Sequence, residues 1–167
     1  MEYRRAFVDD SMVFITIVTN NRLPILVENI DTIKQILFNV MKIYRFCIFA
    51  YSIQPDHIHC IIKPRNIEEY PKIIKSFKYA FTKYVGLVKS TYNKIWQNRY
   101  WEHTIRDDTD LYNHLDYIHF NPVKHNLTNS VKCWKYSSFK KFVRKGWYEE
   151  NWGSFEDTKN IKDMNIE

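Results

Sequence analysis

Phe46-Cys47-Ile48-Phe49-Ala50-Tyr51-Ser52-Ile53-Gln54-Pro55-Asp56-His57-Ile58-His59-Cys60-Ile61-Ile62-Lys63 is the stretch that decides the fold. Phe46 to Ile53 and His57 to Lys63 are rich in aromatic and β-branched residues, and both read as strands. Gln54-Pro55-Asp56 is a tight break between them, so the pair predicts a hairpin. Upstream, Met12 to Thr19 is a further β-branched run, closed by the turn Asn20-Asn21-Arg22-Leu23-Pro24. Between that strand and the hairpin, Ile30, Ile33, Leu37, Val40, Met41 and Tyr44 recur at helical spacing, which predicts an amphipathic helix over Glu28 to Arg45. Downstream, Glu68 to Val88 reads as a second long helix. Its Ile73, Ile74, Phe77, Phe81, Tyr84 and Val85 are apolar, while Lys72, Lys75, Lys78 and Lys83 leave one side basic. A fourth strand is expected over Tyr100 to Ile105, after the turn-like Gln97-Asn98-Arg99.

Strand, helix, strand, strand, helix, strand is the split βαβ order of an α+β, ferredoxin-like antiparallel sheet. Two helices on one face of such a sheet leave the other free for a site. A third helix starts near Asp107-Asp108-Thr109, where either Asp can cap it. It is expected to end by Asn121, because Pro122 disfavours helical geometry in the residue before it. Leu111, Leu115 and Ile118 form its apolar stripe. Residues 124–152 mix basic and aromatic types without clear periodicity. Residues 1–152 therefore read as a single domain, and residues 153–167 as a loose polar tail.

The chain has 167 residues and a formal net charge of +6, which favours a polyanionic partner. Aromatics make up 17% of it, including 12 Tyr and 11 Phe, enough to build a core and also to stack on bases. Cys47, Cys60 and Cys133 form no C-x-x-C pair, which argues against a zinc ribbon or a disulfide framework. Cys47 and Cys60 lie in apolar runs and read as buried thiols. The apolar stretch Met12 to Val18 is too short to span a bilayer, so a cytoplasmic protein that engages no membrane is expected.

Three constellations carry chemistry. In the strand from His57, Ile58, Cys60 and Ile62 share one face, and His57 and His59 share the other. Two imidazoles on a rigid strand begin a divalent-metal site; the plain alternative is a pair of surface histidines. In the third helix, Tyr117 and Asn121 stack one turn apart, with Asp110 and His114 continuing the polar face. An exposed Tyr beside an amide carbonyl offers a nucleophile and a third ligand; the alternative is an ordinary polar helix face. Basic and aromatic residues interleave in Trp96-Gln97-Asn98-Arg99-Tyr100-Trp101 and in Trp134 to Phe142. These would track phosphates and stack on bases, or else form a core with a charged rim.

Together these residues resemble the IS200-like tyrosine (HUH) transposases, in their REP-associated branch. The likeness covers roughly the first 150 residues. It runs through Tyr3-Arg4-Arg5, Val18-Thr19-Asn20-Asn21-Arg22, Pro55-Asp56-His57-Ile58-His59 and Ile95-Trp96-Gln97. It continues in Tyr117-Ile118-His119-Phe120-Asn121-Pro122-Val123-Lys124 and closes with Trp134, Tyr136-Ser137-Ser138 and Trp152. The combination of His-x-His with Tyr-Ile-x-x-Asn-Pro-Val is specific.

The resemblance implies a single-strand DNA endonuclease and strand transferase that cleaves hairpin or palindromic DNA through a covalent 5′-phosphotyrosine. Tyr117 would be the nucleophile. His57, His59 and Asn121 would hold Mg²⁺ or Mn²⁺, although two imidazoles also accept Zn²⁺. Asn121 stands where related insertion-sequence enzymes carry Gln, and Asp56 replaces a frequent Asn. His114 is at most a supporting residue. DNA contacts are expected from Arg4, Arg5, Arg22, Lys75, Lys78, Trp96, Arg99, Tyr100, Lys124, Lys140 and Lys141. Relatives can pair and exchange the tyrosine helix, so a homodimer is a further expectation. The rival reading is a non-catalytic nucleic-acid-binding domain on the same fold, which would leave His57, His59 and Tyr117 without a task.

Overall fold

The computed structural model describes residues 10–88, 94–154, 156–164 and 166. Strand β1 spans Val13–Val18, helix α1 Ile30–Ile43, β2 Phe46–Ile53 and β3 His57–Pro64. Helix α2 spans Tyr70–Val88, β4 Trp101–Thr104, α3 Asp108–Lys124 and α4 Phe139–Arg144. The four strands form one antiparallel sheet in the order β2-β3-β1-β4. This is the expected ferredoxin-like arrangement: the crossover from β1 through α1 to β2 leaves a place that β3 fills, and the crossover from β3 through α2 to β4 passes over β1 to the far edge.

Register decides which residues meet. In β1 against β3, Thr16 stands opposite His59 and Val18 opposite His57. In β1 against β4, Thr16 stands opposite Trp101 and Phe14 opposite His103. Directly opposed residues share a face. Phe14, Thr16, Val18, His57, His59, Ile61, Trp101 and His103 are therefore on one side. Val13, Ile15, Ile17, Ile58 and Ile62 are on the other, where they build a core with Ile33 and Val40 of α1 and Ile73, Phe77 and Phe81 of α2.

The second face is not left open. Helix α3 lies across it, and Leu111, Leu115, Tyr117 and Ile118 pack with Phe14, Ala50, Ile61 and Phe142 in a second core. With both faces covered, all six residues of β1 are buried, which is why that strand reads as a near-continuous apolar run.

Several expectations change. Helix α3 does not stop at Asn121 but continues to Lys124 with Pro122 inside its last turn. The start is as expected: Asp107 caps it, accepting a hydrogen bond from the Asp110 amide. Cys47 is exposed and Cys60 half-buried, so neither is a core thiol in the simple sense.

The C-terminal residues are not loose where they are described. Ile161 and Ile166 join the second core, Asn160 bonds Asn113 and Asp116 of α3, and Lys124 reaches the Met164 carbonyl. A turn at Gly153-Ser154 starts this return, with Asp157 accepting bonds from both amides. Gly153 has φ +118°, and a Cβ there would come within 2.8 Å of Val131, so glycine is required on both counts. Among the described residues no helix is long and apolar enough to cross a membrane.

Candidate active site

The break between β2 and β3 sets the geometry. Asp56 ends the turn, and its carbonyl accepts from both the amide and the hydroxyl of Thr19, which ties the start of β3 to the end of β1. His57 and His59 then project onto the α3 side with ring centroids 4.8 Å apart and planes 77° apart.

Each imidazole is held by its Nδ1. His57 Nδ1 lies 2.6 Å from Asp56 Oδ1, and His59 Nδ1 lies 2.8 Å from Thr16 Oγ1. A partner on Nδ1 fixes the tautomer that leaves Nε2 as the donor toward a cation. Burial pushes the Asp56 carboxyl up, but the hydrogen bond and charge of His57, with Arg22, outweigh it and hold the group below the usual carboxylate range. Arg22 Nη1 is 3.4 Å from Asp56 Oδ2 and the same distance from His57 Nδ1. The turn that delivers it has positive φ at Asn21 and Arg22, 51° and 53°, an uncommon conformation for residues with a Cβ.

Helix α3 supplies the other half. Tyr117 is 1% exposed, and its ring centroid is 5.2 Å from that of His59. Asn121, one turn later, places Oδ1 3.0 Å from His57 Nε2. Gln54, fully buried, packs beside this amide, with a side-chain atom 3.0 Å from Asn121 Oδ1. Lys124 Nζ stands 5.0 Å from the centre of the Tyr117 ring. The ring of His125, at the end of the helix, lies 5.0 Å from that of His57. His57, His59, Tyr117 and Asn121 are thus brought together from sites up to 64 residues apart. Two imidazoles with near-perpendicular planes and an amide oxygen form a mixed nitrogen and oxygen donor set of the kind a divalent cation uses.

The tyrosine is not the exposed side chain expected. A cavity of about 420 Å³ opens beside it, lined by Tyr117, Phe120, Asn121, Lys124, Thr158, Lys159, Ile161 and Lys162. Three lysines around a buried phenol suit a phosphate. Lys159, Lys162, Gln54 and His125 were missed in the sequence. The two lysines lie in a segment with no pattern, and nothing local marks Gln54 as a neighbour of Asn121.

The expected DNA-contact residues divide. Arg22 and Lys124 lie at the site. Arg4 and Arg5 lie outside the described residues. Trp96 is 5% exposed and packs on Phe77 and Phe81 while its Nε1 donates to the Lys78 carbonyl, so it is a core ring and not a stacking surface. Lys75 and Lys78 belong to α2, across the sheet from His57 and His59. Burial and the charge of Lys94 lower the Lys78 pKa, and its Nζ donates to the Gln97 carbonyl. Arg99 and Lys140 are exposed and Tyr100 is half-buried. Lys141 donates to the Phe49 carbonyl at β2.

His114 is separated from His59 by Phe14, whose ring touches both. It instead joins His103 and Asp110 in a cluster whose ligand-type atoms lie within 4.8 Å of one another. The His103 and His114 rings stack at 4.8 Å with planes 11° apart.

The family model described as "Transposase IS200 like" matches residues 7–121. A putative REP-associated tyrosine transposase of Haemophilus influenzae is 40% identical over 168 residues, covering 94% of this chain and 96% of that protein. The REP-associated tyrosine transposase of Escherichia coli K12 is 33% identical over 153 residues, covering 90% of each. A solved structure of a REP-associated tyrosine transposase bound to a REP hairpin superposes with a TM-score of 0.86 at 30% identity, covering 99% of this chain and 96% of that one. The chain belongs to the IS200-like transposases, in the branch of the REP-associated tyrosine transposases.

Proposed function

We propose that this protein is a metal-dependent single-strand DNA endonuclease and strand transferase acting on hairpin or palindromic DNA, with Tyr117 as nucleophile. The observation that carries the reading is the placement of the Tyr117 ring 5.2 Å from that of His59, in a pocket where Asn121 meets His57. The related structure bound to a REP hairpin supports hairpin DNA as the substrate class.

His57, His59 and Asn121 would hold the ion, with Asp56 and Thr16 fixing the two rings. Mg²⁺ or Mn²⁺ bound there supplies Lewis-acid polarisation of the scissile phosphate. A phenol ionises near pH ~10, so it needs help at neutral pH. Lys124 places a positive charge over the ring, where it can meet the phosphate that Tyr117 attacks. Tyr117 loses its proton to water and attacks phosphorus. The new P–O bond forms as the bond to the 3′ oxygen breaks, and that oxygen takes up a proton. Lys159 and Lys162 balance phosphate charge in the pocket. The products are a 5′-phosphotyrosine and a free 3′-hydroxyl. Because the ester bond is conserved, a hydroxyl can attack in reverse and rejoin strands without ATP.

Tyr117→Phe is the decisive variant. It should bind a hairpin oligonucleotide with single-stranded flanks as wild type does, yet give no covalent protein–DNA band on a denaturing gel with Mn²⁺. An adduct that survives the substitution removes Tyr117 from the role.

A further inference from the structure

A ring ladder runs outward from the second core to the surface beside the site. His114, buried in α3, stacks on His103 with centroids 4.8 Å apart and planes 11° apart. His103 stacks in turn on Trp101, two residues earlier in β4, at 5.8 Å and 27°. Phe14 braces the ladder from the side, touching His114 at 4.7 Å and Trp101 at 5.7 Å. Trp101 ends it and is 41% exposed. Among the described residues no further ring closes the stack.

A shared carboxylate holds the ladder rigid. Asp110 Oδ2 accepts from His103 Nε2 at 2.7 Å, from the Arg106 amide at 3.0 Å and from Arg106 Nε at 3.1 Å. The His103 ring under the indole therefore cannot turn freely, and the indole is held in one pose at little further entropic cost on binding. Arg106, itself 72% exposed, keeps a positive charge at the rim, and Arg99 is exposed just before the strand.

The position is as informative as the ring. Thr16 pairs with His59 on one side and with Trp101 on the other, so His59, Thr16 and Trp101 form one row on one face. Two strand spacings put Trp101 about 10 Å from His59 in the sheet. An exposed indole held in one pose offers a flat face on which an unpaired base can stack regardless of sequence.

We propose that Trp101, backed by His103 and flanked by Arg99 and Arg106, is a stacking platform for an unpaired base next to the scissile phosphate of single-stranded DNA. The assignment rests on the nuclease reading above and names a subsite for it. Trp101 is a positioning residue: it holds the strand and does not touch the reacting atoms.

The test separates binding from chemistry. Affinity for a short oligothymidine, and for an abasic strand with the same number of phosphates, is measured by fluorescence anisotropy in a chelator, where cleavage is blocked. Wild type should prefer the strand with bases. Trp101→Ala should lose between about 5-fold and about 100-fold in oligothymidine affinity, the range of one base–aromatic stack, and leave the abasic strand unaffected. Trp101→Phe should recover much of the loss. Oligothymidine affinity that is equal in wild type and Trp101→Ala, or no measurable binding of it, overturns the platform. Adduct formation with Mn²⁺ and a flanked hairpin is scored in parallel. An adduct without Trp101-dependent binding sinks the platform alone. Trp101-dependent binding without an adduct sinks the nuclease reading alone.

Discussion

His59 illustrates how a side chain that never meets the substrate can set a site's strength. Its Nδ1 is 2.8 Å from Thr16 Oγ1, and Thr16 is buried in the central strand. Without that oxygen the imidazole can switch tautomer, and the molecules whose Nε2 carries the proton cannot bind a cation through it. Outer partners of this kind are worth about 10- to 100-fold in metal affinity. Thr16→Val keeps the shape and removes the acceptor. Mn²⁺ titration by calorimetry should show affinity lowered by about that factor, with the circular dichroism spectrum unchanged. Unaltered Mn²⁺ affinity would mean that Thr16 only fills space. The His pair and its strand alternation are legible in sequence because they are local: period two needs no knowledge of the rest of the chain. Thr16 is not legible as their partner, because the pairing depends on a register 43 residues away. The same limit applies to Trp96 and Trp101. Both sit in one basic-aromatic run, and only register and helix packing make the first a core ring and the second a surface one.

At the scale of elements, α3 carries the largest gap between pattern and structure. Its sequence shows one apolar stripe, which implies one buried face. In fact Asp110, His114, His119 and Asn121 are buried as well. Each has a polar partner, near at hand for Asp110 and His114 and distant in the chain for His119 and Asn121, so the cost of burial is partly offset without an apolar signal. His119 is the clearest case. It is fully buried against Phe139 and Phe142 of α4, with Nε2 2.8 Å from Ser138 Oγ just before that helix. Burial lowers its pKa from 6.5 to about 3. The folded protein therefore keeps His119 neutral to about pH 3, while the unfolded chain takes up the proton below pH 6.5. The contribution to stability is complete above pH 6.5 and is lost as pH falls toward 3, at about 1.4 kcal/mol for each pH unit crossed. His119→Gln, which keeps a donor and cannot titrate, should be less stable than wild type at neutral pH. Its melting temperature should also fall less steeply on acidification through that window. Parallel curves for the two proteins would show that the α3–α4 contact does not store this energy. The extension of α3 past Asn121 is invisible to sequence punctuation: Pro122 removes one helical N–H, and the bonds from the His125 amide to the Asn121 carbonyl and from the Leu127 amide to the Pro122 carbonyl close the turns beyond it.

Across the whole molecule, connectivity determines whether one chain can form the site alone. Only residues 105–107 link β4 to α3. The Asp110 carboxylate pins the start of the helix to both β4 and that linker, through His103 and Arg106. The far end is held by Lys124 on the Met164 carbonyl, and Asn160 ties the middle of α3 to the same returning segment. Exchanging α3 between subunits would require each of these contacts to be remade with the partner's segments across the short linker 105–107, whereas the single chain already brings the Tyr117 ring to His59. Mixing tests this. Tyr117→Phe protein retains the histidines, and His59→Ala protein retains the tyrosine. If each chain uses its own α3, the mixture should form no more covalent adduct with a flanked hairpin than either variant alone. If helices are exchanged, mixed dimers would join an intact tyrosine to an intact His pair, and adduct would reappear in proportion to their number. Reappearance would mean that the packing of α3 on its own sheet gives way when two chains meet on DNA.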